Sequence, residues 1–189
     1  MKKFIAGLAG VLVCAASAQA ALLMSFQEVG SDVIGTMSGS LNLSGMSATT
    51  GFTSSVIGAE TSAGIFGTGP IGSVLARYIG QISGPASFGI GGNVSADSTT
   101  GDAVFFYATL HAFWVPDTYI SGDALSGSLT FLNDSFTSLG ATAGDHVYTL
   151  TSGDTITVRF ANAVPLPASL PLSAAALAAL ALVRRRRQP

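Results

Sequence analysis

The sequence predicts an all-β body. Between residues 21 and 163 apolar side chains recur at every second position in short runs. Gly, Ser and Thr separate these runs, and no stretch sustains a helical period. A disordered chain as rich in glycine would lack the recurring β-branched and aromatic residues. Many short strands joined by turns describe a single β-sandwich-like domain, jelly-roll or immunoglobulin-like in type. Two apolar segments, read as an N-terminal signal helix and a C-terminal transmembrane helix, flank it.

Taken in order, the body begins with the run Leu22 to Val29. Met37 to Ser47 alternates through Leu41 and Leu43, and Phe52 to Ile57 is a further short run. Ser73 to Ile79 has room for at most a short helix. Val104 to Val115, VFFYATLHAFWV, is apolar on both parities and reads as one central strand buried between layers. His111 falls within it, alternating with Phe113. Leu125 to Leu132 sets Leu129 and Phe131 against Ser128 and Thr130, and Phe136 to Leu139 follows. Asp145 to Phe160 is the clearest hairpin. Tyr148 and Leu150 share one face of its first strand, Ile156, Val158 and Phe160 one face of its second, and Ser152-Gly153-Asp154 makes the turn. Arg159 then faces outward.

The flanks carry targeting chemistry. Lys2 and Lys3 precede an apolar run from Phe4 to Ala16, and Ala18-Gln19-Ala20 is a small-x-small site, so residues 1–20 read as a signal peptide cut after Ala20. Cys14, the only cysteine, lies inside that segment, and Val13 before it lacks the small-residue context of a lipidated cysteine. The exported body is therefore held without disulfides. At the other end, residues 166–183 carry no charge and as a helix span about 27 Å. Arg184, Arg185, Arg186 and Arg187 stop this segment on the cytoplasmic side and leave the body outside.

Subtracting these flanks changes the charge. The body, 143 residues from 21 to 163, keeps Arg77, Arg159 and all ten acids, a formal charge of −8. That excludes nucleic acid and anionic membrane surfaces as partners and leaves cations and neutral glycans open.

The tail resembles a PEP-CTERM sorting signal in its VPLPA variant. Val164, Pro165, Leu166, Pro167 and Ala168 form the motif, followed by the apolar span and the arginine cluster, together residues 164–189. Leu166 stands where the namesake motif has Glu, as in the variant subgroup. The body is similar to exported proteins of the same class, in a block of the form VPxxYxSG…LGxxxGxxxYxLxxGDxIxV that covers Val115 to Val158 here. His146 departs from the small or polar residue common at its position. The resemblance implies a substrate of an exosortase, a membrane cysteine protease-transpeptidase that removes the tail near the motif, and a matrix or biofilm setting.

Candidate sites in the body divide into weak motifs. Gly67-Thr68-Gly69-Pro70-Ile71-Gly72 spells G-x-G-x-x-G but lacks a strand before it and a helix after it, and Pro70 interrupts it, so it reads as a plain loop. His111 and His146 are too few for a zinc site without cysteine, and no G-x-S-x-G elbow supplies a nucleophile. Single acids beside glycines, as at Asp102, Asp123, Asp145 and Asp154, read as turn residues, with a loop calcium site as the one cofactor to consider. Phe105, Tyr107, Trp114 and Tyr119 read as core before they read as a sugar-stacking face.

The expectation is a non-enzymatic exported protein. It passes through the Sec machinery and signal peptidase, crosses the inner membrane of a Gram-negative-type cell, and is anchored transiently by its tail. An exosortase-like protease then processes it for the cell surface or an exopolysaccharide matrix. A secreted carbohydrate-binding module is the alternative, and a secreted hydrolase is a third reading.

Overall fold

A computed structural model describes residues 20–55 and 57–161. The described residues form fourteen strands and no helix. They are β1 (Ala21–Val29), β2 (Asp32–Ser40), β3 (Thr49–Thr53), β4 (Gly58–Glu60), β5 (Ile65–Gly67), β6 (Val74–Ile79) and β7 (Ile82–Ser83). The second half adds β8 (Asn93–Ser95), β9 (Ser98–Gly101), β10 (Phe105–Tyr107), β11 (Ala112–Pro116), β12 (Ala124–Phe131), β13 (Gly144–Leu150) and β14 (Thr155–Ala161). One seven-stranded sheet has the order β7-β13-β14-β1-β2-β12-β9, and the other β3-β6-β11-β10-β5-β4-β8. One apolar core takes side chains from both sheets, which makes the body sandwich-like.

The alternation read from the sequence sets the inner faces. Leu22, Met24 and Phe26 of β1, Val33 and Met37 of β2, Leu125, Leu129 and Phe131 of β12, and Ile156, Val158 and Phe160 of β14 are buried. Phe66, Phe106, Phe113 and Val115 face them from the second sheet. Burying each such side chain contributes about 1.5–3 kcal/mol. Phe26 and Phe160 stack at 4.7 Å, Phe106 meets Tyr148 edge-on at 4.7 Å across the two sheets, and Phe88 touches Phe106, Tyr148 and Phe160. Burial raises the Tyr148 phenol above its ordinary pKa.

The first and last strands lie side by side and parallel. Ala21 is beside Thr155, and Gln27 is beside Ala161. The start of β1 and the end of β14 therefore sit at opposite ends of that sheet.

The hairpin expected between 145 and 160 is β13 and β14, with Asp145 opposite Arg159 on the outer face. Four expectations are corrected. The run from 104 to 115 is two strands, because the Ala108–His111 segment turns back. His111 N–H donates to Ala108 O at 2.9 Å, and His111 takes a positive φ of 51°, so it is an exposed turn residue. The Thr109 hydroxyl fixes the turn to the carbonyls of Ala63 and Ala86 at 3.0 and 2.9 Å. Residues 74–79, read as at most a short helix, are the strand β6, recruited between β3 and β11. Phe136 and Leu139 are buried in a turn, where Leu139 N–H donates to Ser135 O. The alternation through Leu41 and Leu43 continues to bury both after β2 ends at Ser40.

Gly35 is set between core rings. A Cβ there would lie 2.7 Å from Met24 Cε and 2.7 Å from Phe26 Cε1. The missing side chain is what admits both residues beneath β2. Gly35→Val is therefore expected to destabilise the body by about 1–3 kcal/mol through overpacking. Urea unfolding of the variant beside the parent measures this, and an unchanged midpoint would show that the space is not filled as described.

Candidate functional site

The hairpin β10–β11 decides which aromatics face outward. Phe105 pairs with Trp114 and Tyr107 with Ala112. Phe106 and Phe113 point into the core, so Phe105, Tyr107, Ala112 and Trp114 share the outer face. Leu75 of β6 and Phe52 of β3 extend that face. Trp114 is 8 % exposed, buried as expected for a core residue, but in a small outer cluster separate from the main core. The ring of Phe105 meets it edge-on at 4.9 Å and that of Phe52 at 6.5 Å.

A cleft of about 180 Å³ opens on this cluster. Phe52, Leu75, Phe105 and Trp114 form its apolar walls, and Thr53, Ser54 and Ser55 its polar rim. The Ser54 hydroxyl is used by the fold, donating to Pro70 O at 2.8 Å and accepting from Ser73 N–H at 3.1 Å. Thr53 and Ser55 are exposed. Arg77 lies directly across the ladder from Trp114. Its guanidinium sits 4.3 Å above the Phe52 ring, and its Nε is buried without a hydrogen-bond partner. Among the described residues Arg77 is in no salt bridge, whereas Arg159 grips Asp145 at 2.6 and 2.7 Å.

The acids serve the fold. Five carboxylates accept backbone N–H groups: Glu28 from Phe136 (2.6 Å), Asp32 from Asn133 (2.9 Å), Asp97 from Leu132 (2.7 Å), Asp102 from Ser126 (2.8 Å) and Asp154 from Asn42 (2.5 Å). Among the described residues no three His, Cys, Asp or Glu side chains gather as a metal-binding group. His111 lies in the turn of one sheet and His146 in β13 of the other, where its Nε2 is 3.1 Å from Thr142 O. The G-x-G-x-x-G stretch, read as lacking a strand before it, in fact begins on the last residue of the strand β5, and it continues as a loop with no helix after it among the described residues. The Thr68 hydroxyl donates to Asp102 O at 2.8 Å, and a Cβ on Gly69 would lie 2.5 Å from the Ala103 backbone.

The block that carries the resemblance is spent on structure. Tyr119 Oη accepts Leu41 N–H at 2.8 Å and reaches the carbonyls of Leu41 and Asp123 at 3.0 and 2.8 Å. Ser121 Oγ accepts Leu43 N–H at 2.7 Å. Leu139, Tyr148, Leu150, Ile156 and Val158 are core, and Asp154 is buried.

Of the sorting residues, Ala20 is the first described and β1 starts at the next residue. Ala18, Val164, Pro165, Leu166, Pro167, Ala168 and Arg184 to Arg187 lie outside the described residues. No described helix is long and apolar enough to cross a membrane, and residues 166–183, read as the transmembrane segment, lie outside the described residues. Compared with protein-family models, curated proteins and solved structures, the chain matches none.

Two outcomes check the local geometry. Tyr119→Phe strips the partly buried Leu41 N–H of its acceptor, at an expected cost of about 1–3 kcal/mol in denaturant unfolding. The hydrogen bond from Arg159 holds the exposed Asp145 carboxyl below its ordinary pKa. Because the folded pKa is depressed, the pair's small contribution is present above the ordinary carboxylate range and is lost as pH falls through the folded pKa. Carboxyl NMR titration should place Asp145 lower than in the Arg159→Gln variant; equal midpoints would mean that the pair does not form in solution.

Proposed function

We propose that this chain is an exported, non-enzymatic cell-surface or extracellular-matrix protein whose tail is processed by an exosortase-like membrane protease. The observation that supports this best is the coincidence of the fold with the signals. The first strand starts at Ala21, immediately after the expected cut, and the last ends at Ala161, three positions before Val164. Removing either flank, each read as a helix, leaves every strand whole.

The parallel pairing of β1 with β14 adds an orientation. The N-terminal flank leaves one end of the sandwich and the tail leaves the other. A domain still held by residues 166–183 would stand with its β1–β2 turn toward the membrane and the start of β1 away from it. Without disulfides, it relies on an aromatic core outside the cell. Sec machinery and signal peptidase are its partners during export, and exopolysaccharide is its partner at the destination.

Intact mass and C-terminal peptide mapping of cell, membrane and medium fractions test the reading. The expected mature form begins at Ala21 and ends near Ala168. Persistence of Arg184 to Arg187 in a membrane-bound mature form would overturn processing and leave a tail-anchored surface domain.

A further inference from the structure

The end of the sandwich at which β14 finishes changes surface character. Along the outer face of β1 the side chains are Ser25, Gln27 and then Val29, and along that of β12 they are Ser126, Ser128, Thr130 and then Leu132. Val29 and Leu132 are each 51 % exposed. They stand on either side of Asp32, since Val29 is its ladder partner and Leu132 follows Phe131, the partner of Val33. Asp32 Oδ1 accepts Ser31 Oγ–H and Asn133 N–H, and Oδ2 has no hydrogen bond among the described residues. Ile90, almost wholly exposed, donates its N–H to Gly140 O, in the turn whose Phe136 N–H is taken by Glu28 beside Val29.

Chain length limits what can meet this end. Gln27 is beside Ala161, so Val29 lies about 7 Å past the level at which β14 finishes. Three Cα steps, at most about 11 Å, separate Ala161 from Val164. A protease that grips Val164 to Ala168 therefore has its own surface against the β1–β2 turn whenever the body is folded. We propose that Val29, Asp32 and Leu132 form a docking surface for the membrane protease that removes the tail, met there by an aliphatic patch carrying one basic side chain. This rests on the processing of the tail proposed above. The two aliphatic side chains supply apolar area, and Asp32 Oδ2 takes the cation. Tethering by so short a segment makes the contact nearly intramolecular, so a small surface suffices. The bilayer is the poorer occupant. A carboxylate set between the two apolar residues would have to be desolvated in lipid, and a body of formal charge −8 is repelled by anionic headgroups.

The full chain is followed by pulse-chase in the cells that export it, with conversion to the tail-cleaved form read by intact mass. Val29→Ser combined with Leu132→Ser continues the hydroxyl character of both strands. It is expected to slow conversion about tenfold without moving the unfolding midpoint. Ile120→Ser, an exposed apolar site in the loop before β12 at the opposite end of the sheet, is expected to convert at the parental rate. A photo-crosslinking residue at Val29 is expected to join the chain to the protease. Parental conversion of the double variant, or an equal loss with Ile120→Ser, overturns the docking surface and leaves processing standing. Crosslinks to lipid alone assign this end to the bilayer and overturn it too. A parent chain that is never converted overturns processing and the docking surface together. Should the double variant fail to fold, parental conversion of Val29→Ser alone overturns the proposal instead.

Discussion

The stack of Phe26 on Phe160 joins the first strand to the last. Their Cα positions are partners in the parallel ladder of β1 and β14, and their rings stack 4.7 Å apart with nearly parallel planes. Phe131, Phe136 and Phe88 close around this pair, and through Phe88 the cluster reaches Phe106 of the other sheet. A body without cysteine depends on such contacts. The sheet that holds β1 and β14 cannot be completed until residues 155–161 are available to meet residues 21–27. Such pairing of distant segments is intrinsically slow to form. Both ends of the body must be present before its core can close.

The polar chemistry of the body follows from the same lack of covalent ties. Loops are fastened by hydroxyls and carboxylates. Thr61, buried at 1 % exposure, accepts Gly91 N–H at 2.8 Å and donates to Leu139 O at 2.9 Å, linking two loops far apart in sequence. The five acids that accept backbone N–H groups do the same. Two of these donors, Phe136 N–H and Asn42 N–H, are partly buried, where an unpaired group costs more than an exposed one. Five of the ten acids are used in this way, and of these Asp154 lies inside the resemblance block.

The cleft was hard to read from the sequence for one local reason. VFFYATLHAFWV contains no Gly, Pro, Asn or Asp, so nothing marks a turn inside it. Read as one strand, it places Phe105 and Trp114 on opposite parities. The turn at Ala108–His111 resets the parity and brings both to the same face as a directly paired couple. The positive φ of His111, a conformation uncommon for a non-glycine residue, is held by the docking of Thr109 on Ala63 and Ala86. That docking is tertiary, and no local pattern announces it. The same holds for β6, whose residues 74–79 become a strand because β3 and β11 supply partners on both sides.

By itself the sequence determined what depends on local periodicity and composition. The all-β class, the 145–160 hairpin with Arg159 outward, the inward Leu129 and Phe131 of β12 and the charge of residues 21–163 are of this kind, because period-2 alternation and composition act between near neighbours. The tertiary structure decided what depends on which segments meet. It assigned fourteen strands to two sheets, set β1 parallel to β14, turned one apparent strand into two, and gathered Phe52, Arg77, Phe105 and Trp114 from four strands onto one face. The physical reason is that strand partners are chosen by packing between distant segments, and the parity of a side chain has meaning only once its strand has a beginning and an end.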